Sequence, residues 1–329
     1  MSTNKALYLI TTGDQDGVGL EVTAKALISL SKKKSFLRDN VFFIYISNSK
    51  EKYVIQLKKK FKTLTVSDES LNNIDLYKNF EIVFIASKLS PPHWVFQASK
   101  LCMSGRFSAL ITAPLSKELI QKSGFSEVGH TEIFRSVSKV NNLYMLFVGR
   151  FFNVLLLTGH IPLKQVNRNI LKFNDTSLLK NLLQFRKNLA PRIRKKPIAF
   201  LGVNPHAGEG GIIDGAAEKK LSSFFSVDNS LLKSTPSFEG PLVPDVAFQK
   251  KYWNRYSLFI ATYHDQGLIP FKMIHGQDSG VHITFGLPFL RTSVDHGTAK
   301  DIFGMNKANP NSMIEAIKWA LKLSSSYLP

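Results

Sequence analysis

A chain of 329 residues with 44% hydrophobic and 20% charged residues can bury a large core and lies in the globular range. It contains no run of about 18 apolar residues, which argues against a membrane span, and its single cysteine, Cys102, excludes an internal disulfide and fits a reducing cytoplasm. The formal charge of +19 raises nucleic-acid binding. However, the basic clusters at 32–34, 58–60 and 192–196 flank helices or connections, and neither zinc-finger spacing nor an aromatic RNA-binding strand accompanies them. A positive field equally attracts phosphorylated metabolites and dinucleotides.

From the N-terminus, Met1–Lys5 leads directly into the apolar run Ala6–Ile10, which Thr11-Thr12-Gly13 interrupts too soon for a signal peptide. Apolar runs at 6–12, 41–47, 81–86, 110–112, 143–148, 154–158, 197–203, 258–263 and 282–285 read as strands. Several lack alternation, as expected where both faces are covered. Helical periodicity appears at 20–30, 116–122, 176–188 and 312–323. The alternation predicts a layered α/β fold with a largely parallel sheet. The pattern contains no repeat and no low-complexity linker, and it draws no boundary between lobes.

Polar residues gather where strands end: Thr12-Gly13-Asp14, Thr112-Ala113-Pro114, Thr158-Gly159-His160, Asn204-Pro205-His206 and Tyr263-His264-Asp265. Open α/β sheets bind ligands outside these carboxyl ends, so the five segments point to one shared site. Of the eight histidines, His160, His206 and His264 follow strand-like runs. Their long separations match no short zinc motif. Three neutral imidazoles can nevertheless hold a divalent ion with open positions, and such an ion acidifies a substrate hydroxyl. Removal of hydride from a secondary alcohol then calls for a nicotinamide, because no side chain accepts hydride.

The segment Asn204-Pro-His-Ala-Gly-Glu-Gly-Gly211 allows either close backbone approach to a ligand or a simple turn. Gly13-Asp-Gln-Asp-Gly-Val-Gly19 follows a strand and precedes a helix, but its spacing is not the dinucleotide fingerprint. Lys272 and Arg291 are candidate anion ligands, Arg291 within the apolar stretch Phe289-Leu-Arg-Thr-Ser293. His130-Thr131 precedes a helix-like stretch from Glu132, whose N-terminus favours phosphate.

Read in order, these segments resemble the 4-hydroxythreonine-4-phosphate dehydrogenase family of vitamin B6 synthesis. The resemblance runs from about residue 7 to residue 304. It rests on Ile111-Thr-Ala-Pro-Leu-Ser-Lys117, Gly129-His-Thr-Glu132, Leu201-Gly-Val-Asn-Pro-His-Ala-Gly-Glu-Gly-Gly211, Gly240-Pro-Leu-Val-Pro-Asp245, Tyr263-His-Asp-Gln-Gly-Leu268 and Gly286 to Ala299. It implies a two-lobed layered α/β/α fold like that of isocitrate and isopropylmalate dehydrogenases, with residues 1–329 as one catalytic unit. It also implies a cytoplasmic homodimer with its active site at the subunit interface. A divalent ion (zinc, magnesium or cobalt) would be held by His160, His206 and His264, one of them from the partner chain. Substrate contacts fall on His130, Thr131, Lys272, His282 and Arg291. By analogy with the wider superfamily, the adenosine half of NAD or NADP falls near His296, Gly297 and Thr298 and a helix running to Gly304.

The implied reaction oxidises 4-phosphooxy-threonine to a 3-oxo acid, which loses carbon dioxide to give 3-amino-2-oxopropyl phosphate. Lys117, Asp245 and a metal-bound water are candidate bases. Two departures stand out. The family's Thr-Pro-Gly-Glu-Pro-Ala-Gly is Thr11-Thr-Gly-Asp-Gln-Asp-Gly17 here, which places a charge at Asp16. A family asparagine is replaced by His282, after a loop, 275–279, one residue longer. An imidazole differs from an amide in size and titrates near neutrality, so threonate or erythronate 4-phosphate are alternative substrates. A catalytically silent phosphometabolite binder and a basic nucleic-acid binder are the alternatives of another class.

Overall fold

The computed structural model describes residues 5–33, 35–48, 50–127, 129–231, 238–276 and 279–327. Lys34 and the positions 277–278 before His282 lie outside the described residues. The strands are β1 (Ala6–Thr11), β2 (Asn40–Ile46), β3 (Thr63–Val66), β4 (Ile82–Ala86), β5 (Ala109–Thr112), β6 (Tyr144–Val148), β7 (Val154–Leu156), β8 (Ile198–Leu201), β9 (Phe238–Leu242), β10 (Leu258–Ala261), β11 (Val281–Phe285) and β12 (Arg291–Val294). The expected strands all form, with ends displaced by a residue or two.

Three strands carry no hydrophobic signal and were missed. β3 is half-exposed and threonine-rich, β9 contains Gly240-Pro241, and β12 buries the polar sequence Arg-Thr-Ser-Val. The expected α-helix running to Gly304 is also corrected. A left-handed Ala299 (φ 47°) turns the chain into a short 3-10 turn, Lys300–Ile302, and the next α-helix starts at Asn311.

The chain divides into two compact units, one formed by Met1–Asn141 with Leu287–Pro329 and the other by Asn142–Gly286. In the first, the strand order is β3-β4-β2-β1-β5-β12, parallel throughout. Successive residues of β1, β2, β4 and β5 are nearly all buried. Neighbouring side chains point to opposite faces, so both faces are covered. The helix Asn311–Tyr327 packs on β5 and β12, and the helix Pro91–Met103 packs on β1 and β5. A buried hydrogen bond of 2.8 Å between Tyr8 and Ser324 ties the last helix to the first strand.

In the second unit the order is β11-β6-β7-β10-β8-β9. β6 runs antiparallel to β11 and β7, and the remaining pairs are parallel. Its core gathers Phe147, Phe152, Phe259, Phe271 and the aliphatic residues of β7 and β10. Val154 and Leu156 of β7 each contribute about 1.5–3 kcal/mol on burial.

Candidate active-site residues

The second unit places three histidines after three adjacent strands. β7, β10 and β8 lie side by side and parallel, so their carboxyl ends fall together. His160 follows β7, His264 follows β10 and His206 follows β8. The rings of His160 and His264 are 5.1 Å apart at their centroids. His264 opens the helix His264–His275, and its Nδ1 lies 2.6 Å from Asp265 Oδ1. That contact favours the tautomer with the proton on Nδ1, leaving the Nε2 lone pair for a ligand. Gln266 anchors this helix start, accepting from Thr262 N (2.7 Å) and donating to Gly202 O (2.8 Å) beyond β8.

His206 sits on an exposed turn of a different character. Residues His206 to Gly210 have φ between 43° and 79°, a conformation costing non-glycine residues about 1–3 kcal/mol each. Buried Glu218 holds the turn from outside, accepting from Val203 N (2.9 Å) and Asn204 N (2.8 Å). Among the described residues no three His, Cys, Asp or Glu side chains converge closely enough to hold a metal ion. One chain therefore pairs His160 with His264 and does not bring His206 into the cluster. Two imidazoles, one of them oriented by a carboxylate, are donors that suit a divalent ion, and His206 follows the adjacent strand β8.

Lys272 is exposed in the last turn of the helix His264–His275. That turn is pinned by buried His275, whose Nδ1 bonds Phe271 O (3.0 Å) and whose Nε2 accepts from Phe151 N (3.1 Å). His282 lies opposite Phe147 in the β11–β6 ladder and stacks on its ring at 5.0 Å. Asp245 is exposed in the first turn of the short helix Pro244–Ala247.

The first unit holds the remaining candidates. Arg291 opens β12 and is 3% exposed. Strand register sets it beside β5, and it donates to Thr112 Oγ1 from Nε (3.1 Å) and Nη2 (2.6 Å). The guanidinium also lies over the Phe134 ring at 5.1 Å. Burial pushes its pKa down to about 9. His130 and Thr131 form the first turn of the helix His130–Ser138, two residues earlier than expected. The His130 Nε2 is buried without a hydrogen-bond partner. Burial first, and the Arg291 charge second, push the His130 pKa down to about 3. A desolvated guanidinium beside a neutral imidazole and a helix start is a setting that favours an anion. Lys117, exposed, begins a helix capped by Ser116, whose Oγ accepts from Leu119 N (3.2 Å).

Two loops of this unit interlock. Gly13 has φ +71°, and a Cβ there would lie 2.1 Å from Pro114 O. Val18 N donates to Thr298 O (3.0 Å). Lys300 pairs with Asp14 (3.1 Å) and Asp16 (2.9 Å). Its pKa is raised by its contacts with Asp16 and then Asp14. The charge that enters at Asp16 is thus matched by Lys300. In the neighbouring loop, His296 Nδ1 contacts Gly297 O (2.8 Å), while its Nε2 is buried without a hydrogen-bond partner. Space beside Gly297 is open. A ring nitrogen without a partner is a group that a polar ligand satisfies.

Asp14, Glu218, Asp265, Gln266, Thr112 and Lys300 were not singled out from sequence as functional residues. Asp14, Thr112 and Asp265 carried only the positional signal of the strand-end segments, and the partners of Asp14, Thr112, Glu218 and Lys300 lie far along the chain or depend on strand register.

The chain is built of two α/β units with chemistry-bearing residues at strand ends, and the similarities make it an oxidoreductase. Residues 43–320 match the model of the pyridoxal phosphate biosynthetic protein PdxA, and the chain belongs to that family. It is 35% identical over 329 residues to the 4-hydroxythreonine-4-phosphate dehydrogenase of Sulfurihydrogenibium sp. (strain YO3AOP1), covering 95% of this chain and 97% of the relative. It resembles the crystal structure of the Klebsiella pneumoniae 4-hydroxythreonine-4-phosphate dehydrogenase with a TM-score of 0.74 at 25% identity, covering 98% and 99% of the two chains. A terephthalate 1,2-cis-dihydrodiol dehydrogenase from Burkholderia xenovorans LB400 shares the fold alone, with a TM-score of 0.62 at 17% identity over 97% and 98% of the chains. Among the described residues no helix is long and apolar enough to cross a membrane.

Proposed function

We propose that this chain oxidises 4-phosphooxy-L-threonine to 2-amino-3-oxo-4-phosphooxybutanoate, which then loses carbon dioxide to give 3-amino-2-oxopropyl phosphate for pyridoxal phosphate synthesis. The observation that carries this reading is the placement of His160, His264 and His206 after the adjacent parallel strands β7, β10 and β8, in a chain whose relatives bear that enzyme's name. A divalent ion (zinc, magnesium or cobalt) on the three histidines supplies Lewis acidity at the substrate hydroxyl, and NAD or NADP beside His296, Gly297 and Thr298 supplies the hydride acceptor.

The chain's own groups do the rest. Arg291 and His130, with Thr131, hold the phosphate, the guanidinium regaining in the anion the solvation that burial removed. Lys272 and His282 contact the remainder of the substrate. Lys117 or Asp245 takes the hydroxyl proton. The alcohol carbon gives up a hydride and its oxygen a proton. The new ketone then accepts the electrons of the breaking carbon–carboxylate bond, and a proton returns to that carbon.

Residues 1–329 act as one two-lobed catalytic unit in a cytoplasmic homodimer, the partner supplying one histidine. Supporting the dimer, Ile269 and Met273 are 58% and 78% exposed on the helix that begins with His264, and Ile212 is 83% exposed beyond His206. A second reading keeps the chemistry and changes the substrate to threonate or erythronate 4-phosphate. It is favoured by the His282 ring stacked on Phe147, which presents an imidazole where the family has an amide.

Reduction of NAD at 340 nm with 4-phosphohydroxy-L-threonine, beside threonate and erythronate 4-phosphates and with and without chelator, tests both readings. Turnover of the amino acid that a chelator abolishes is expected. Turnover of only a hydroxy-acid phosphate moves the pathway, and inertness toward all three points to a different substrate or a catalytically silent relative.

A further inference from the structure

We propose that Asp14 is a positioning residue whose buried carboxylate locks together the loops carrying Lys117 and His296–Thr298 and thereby sets the affinity for the nicotinamide dinucleotide. The inference rests on the assignment of His296–Thr298 to the cofactor.

The Asp14 side chain is 0% exposed. It cannot reach a ligand in solvent, and a carboxylate so placed needs partners. Its two oxygens go to two different segments. Oδ1 accepts from Ser116 N (2.9 Å), the residue that caps the helix opened by Lys117. Oδ2, which accepts no hydrogen bond, lies 3.1 Å from Lys300 Nζ in an ion pair. The Asp14 backbone adds two ties, its N donating to Pro114 O (3.1 Å) and its O accepting from Gly17 N (3.0 Å). One residue at the end of β1 therefore joins the ends of β1 and β5 to the segment after β12.

The fit depends on glycine. A Cβ at Gly17 would sit 3.0 Å from Thr298 O, and one at Gly19 would overlap Thr12 O at 1.9 Å. Their absence lets Val18 N reach Thr298 O. Lys300 follows directly on the left-handed corner at Ala299, so fixing its ammonium fixes that corner and the His296–Thr298 backbone before it. Asp16, 62% exposed, is a second carboxylate on the same ammonium. The Lys300 charge is thus committed to the protein, which marks it as a strut for the loop instead of a phosphate ligand.

The test is NAD binding by titration calorimetry, which requires no turnover, together with separate KM values for NAD and the phosphorylated substrate. The variants are Asp14→Asn, which keeps the acceptor for Ser116 but removes the charge, Lys300→Met and Lys300→Arg. Lys318→Met, from the exposed pair with Glu315, serves as control. Asp14→Asn and Lys300→Met should weaken NAD by roughly 10- to 100-fold, the scale of a misplaced binding element. Lys300→Arg and the control should stay near wild type, and substrate KM and metal content should not move. Wild-type NAD affinity in Lys300→Met overturns the proposal even if melting temperature falls, since a merely structural tie would change stability alone. Should Asp14→Asn fail to fold, Lys300→Met decides, because that side chain is 40% exposed. Failure of the wild type to bind either NAD or NADP overturns the cofactor assignment and this proposal together. Binding of NAD without oxidation of the phosphorylated amino acid would discard only the substrate reading, and the order of affinities would still decide on Asp14.

Discussion

Arg291 donates twice to the single hydroxyl of Thr112, from Nε at 3.1 Å and Nη2 at 2.6 Å, inside a site that leaves the residue 3% exposed. A hydroxyl oxygen carries no charge to set against that of the guanidinium. The charged form is disfavoured, as the descent of its pKa to about 9 records. Arg291→Met should therefore separate function from stability. Affinity for the phosphorylated substrate should fall by about 2–5 kcal/mol, whereas the melting temperature of the free protein should hold or rise. A clear loss of melting temperature would mean that Arg291 serves the fold.

His130 gives a pH signature. Its folded-state pKa, about 3, lies below the ordinary 6.5. The folded chain thus binds fewer protons than the unfolded one between these values. Its contribution is fully present above pH 6.5 and is lost as pH falls toward 3, with a slope of at most about 1.4 kcal/mol per pH unit. His130→Gln should flatten the stability profile in that window relative to wild type and leave it unchanged above pH 7. Parallel profiles for the two proteins would show that His130 is not held neutral.

For the metal, the outer carboxylate offers the cleaner variant. Asp265 is 70% exposed, and its carboxylate lies 2.6 Å from His264 Nδ1. Asp265→Asn should lower metal affinity about 10- to 100-fold with the fold intact, and His264→Ala should abolish tight binding. Elemental analysis after dialysis against a graded chelator measures both. Equal metal retention in wild type and His264→Ala would remove His264 from the ligand set.

Glycines test the turn geometry. A Cβ at Gly19 would overlap Thr12 O at 1.9 Å, while one at Gly105 meets nothing within 4 Å although φ is +73°. Gly105→Ala should cost about 1 kcal/mol, the conformational penalty alone. Gly19→Ala should cost several times more or prevent folding, because backbone must move. Denaturant titration compares them, and equal costs would contradict the close packing of the Gly13–Gly19 loop.

Much of the α/β layout was legible in the chain. The apolar runs that became β1, β2, β4, β5, β6, β7, β8, β10 and β11 are hydrophobic because most of their residues are covered on both faces, and burial on both faces leaves a local mark in the sequence. β12 left none, since its Arg-Thr-Ser is buried through side-chain hydrogen bonds and packing that no hydropathy pattern encodes. The histidines were visible as strand-end residues, but their order in space was not. His206 precedes His264 in the chain, yet β10 lies between β7 and β8.

The sequence by itself determined the alternation of strands and helices, the strand-end placement of His160, His206 and His264, and the kinship of the chain, because each is written in neighbouring residues. Tertiary structure decided that His160 lies against His264 while His206 stays apart on a left-handed turn, that Arg291 meets Thr112 and burial depresses the His130 pKa, and that Asp14 joins Ser116 to Lys300. These depend on strand order, register and burial, which arise from contacts between residues tens to hundreds of positions apart and are therefore invisible to any local pattern.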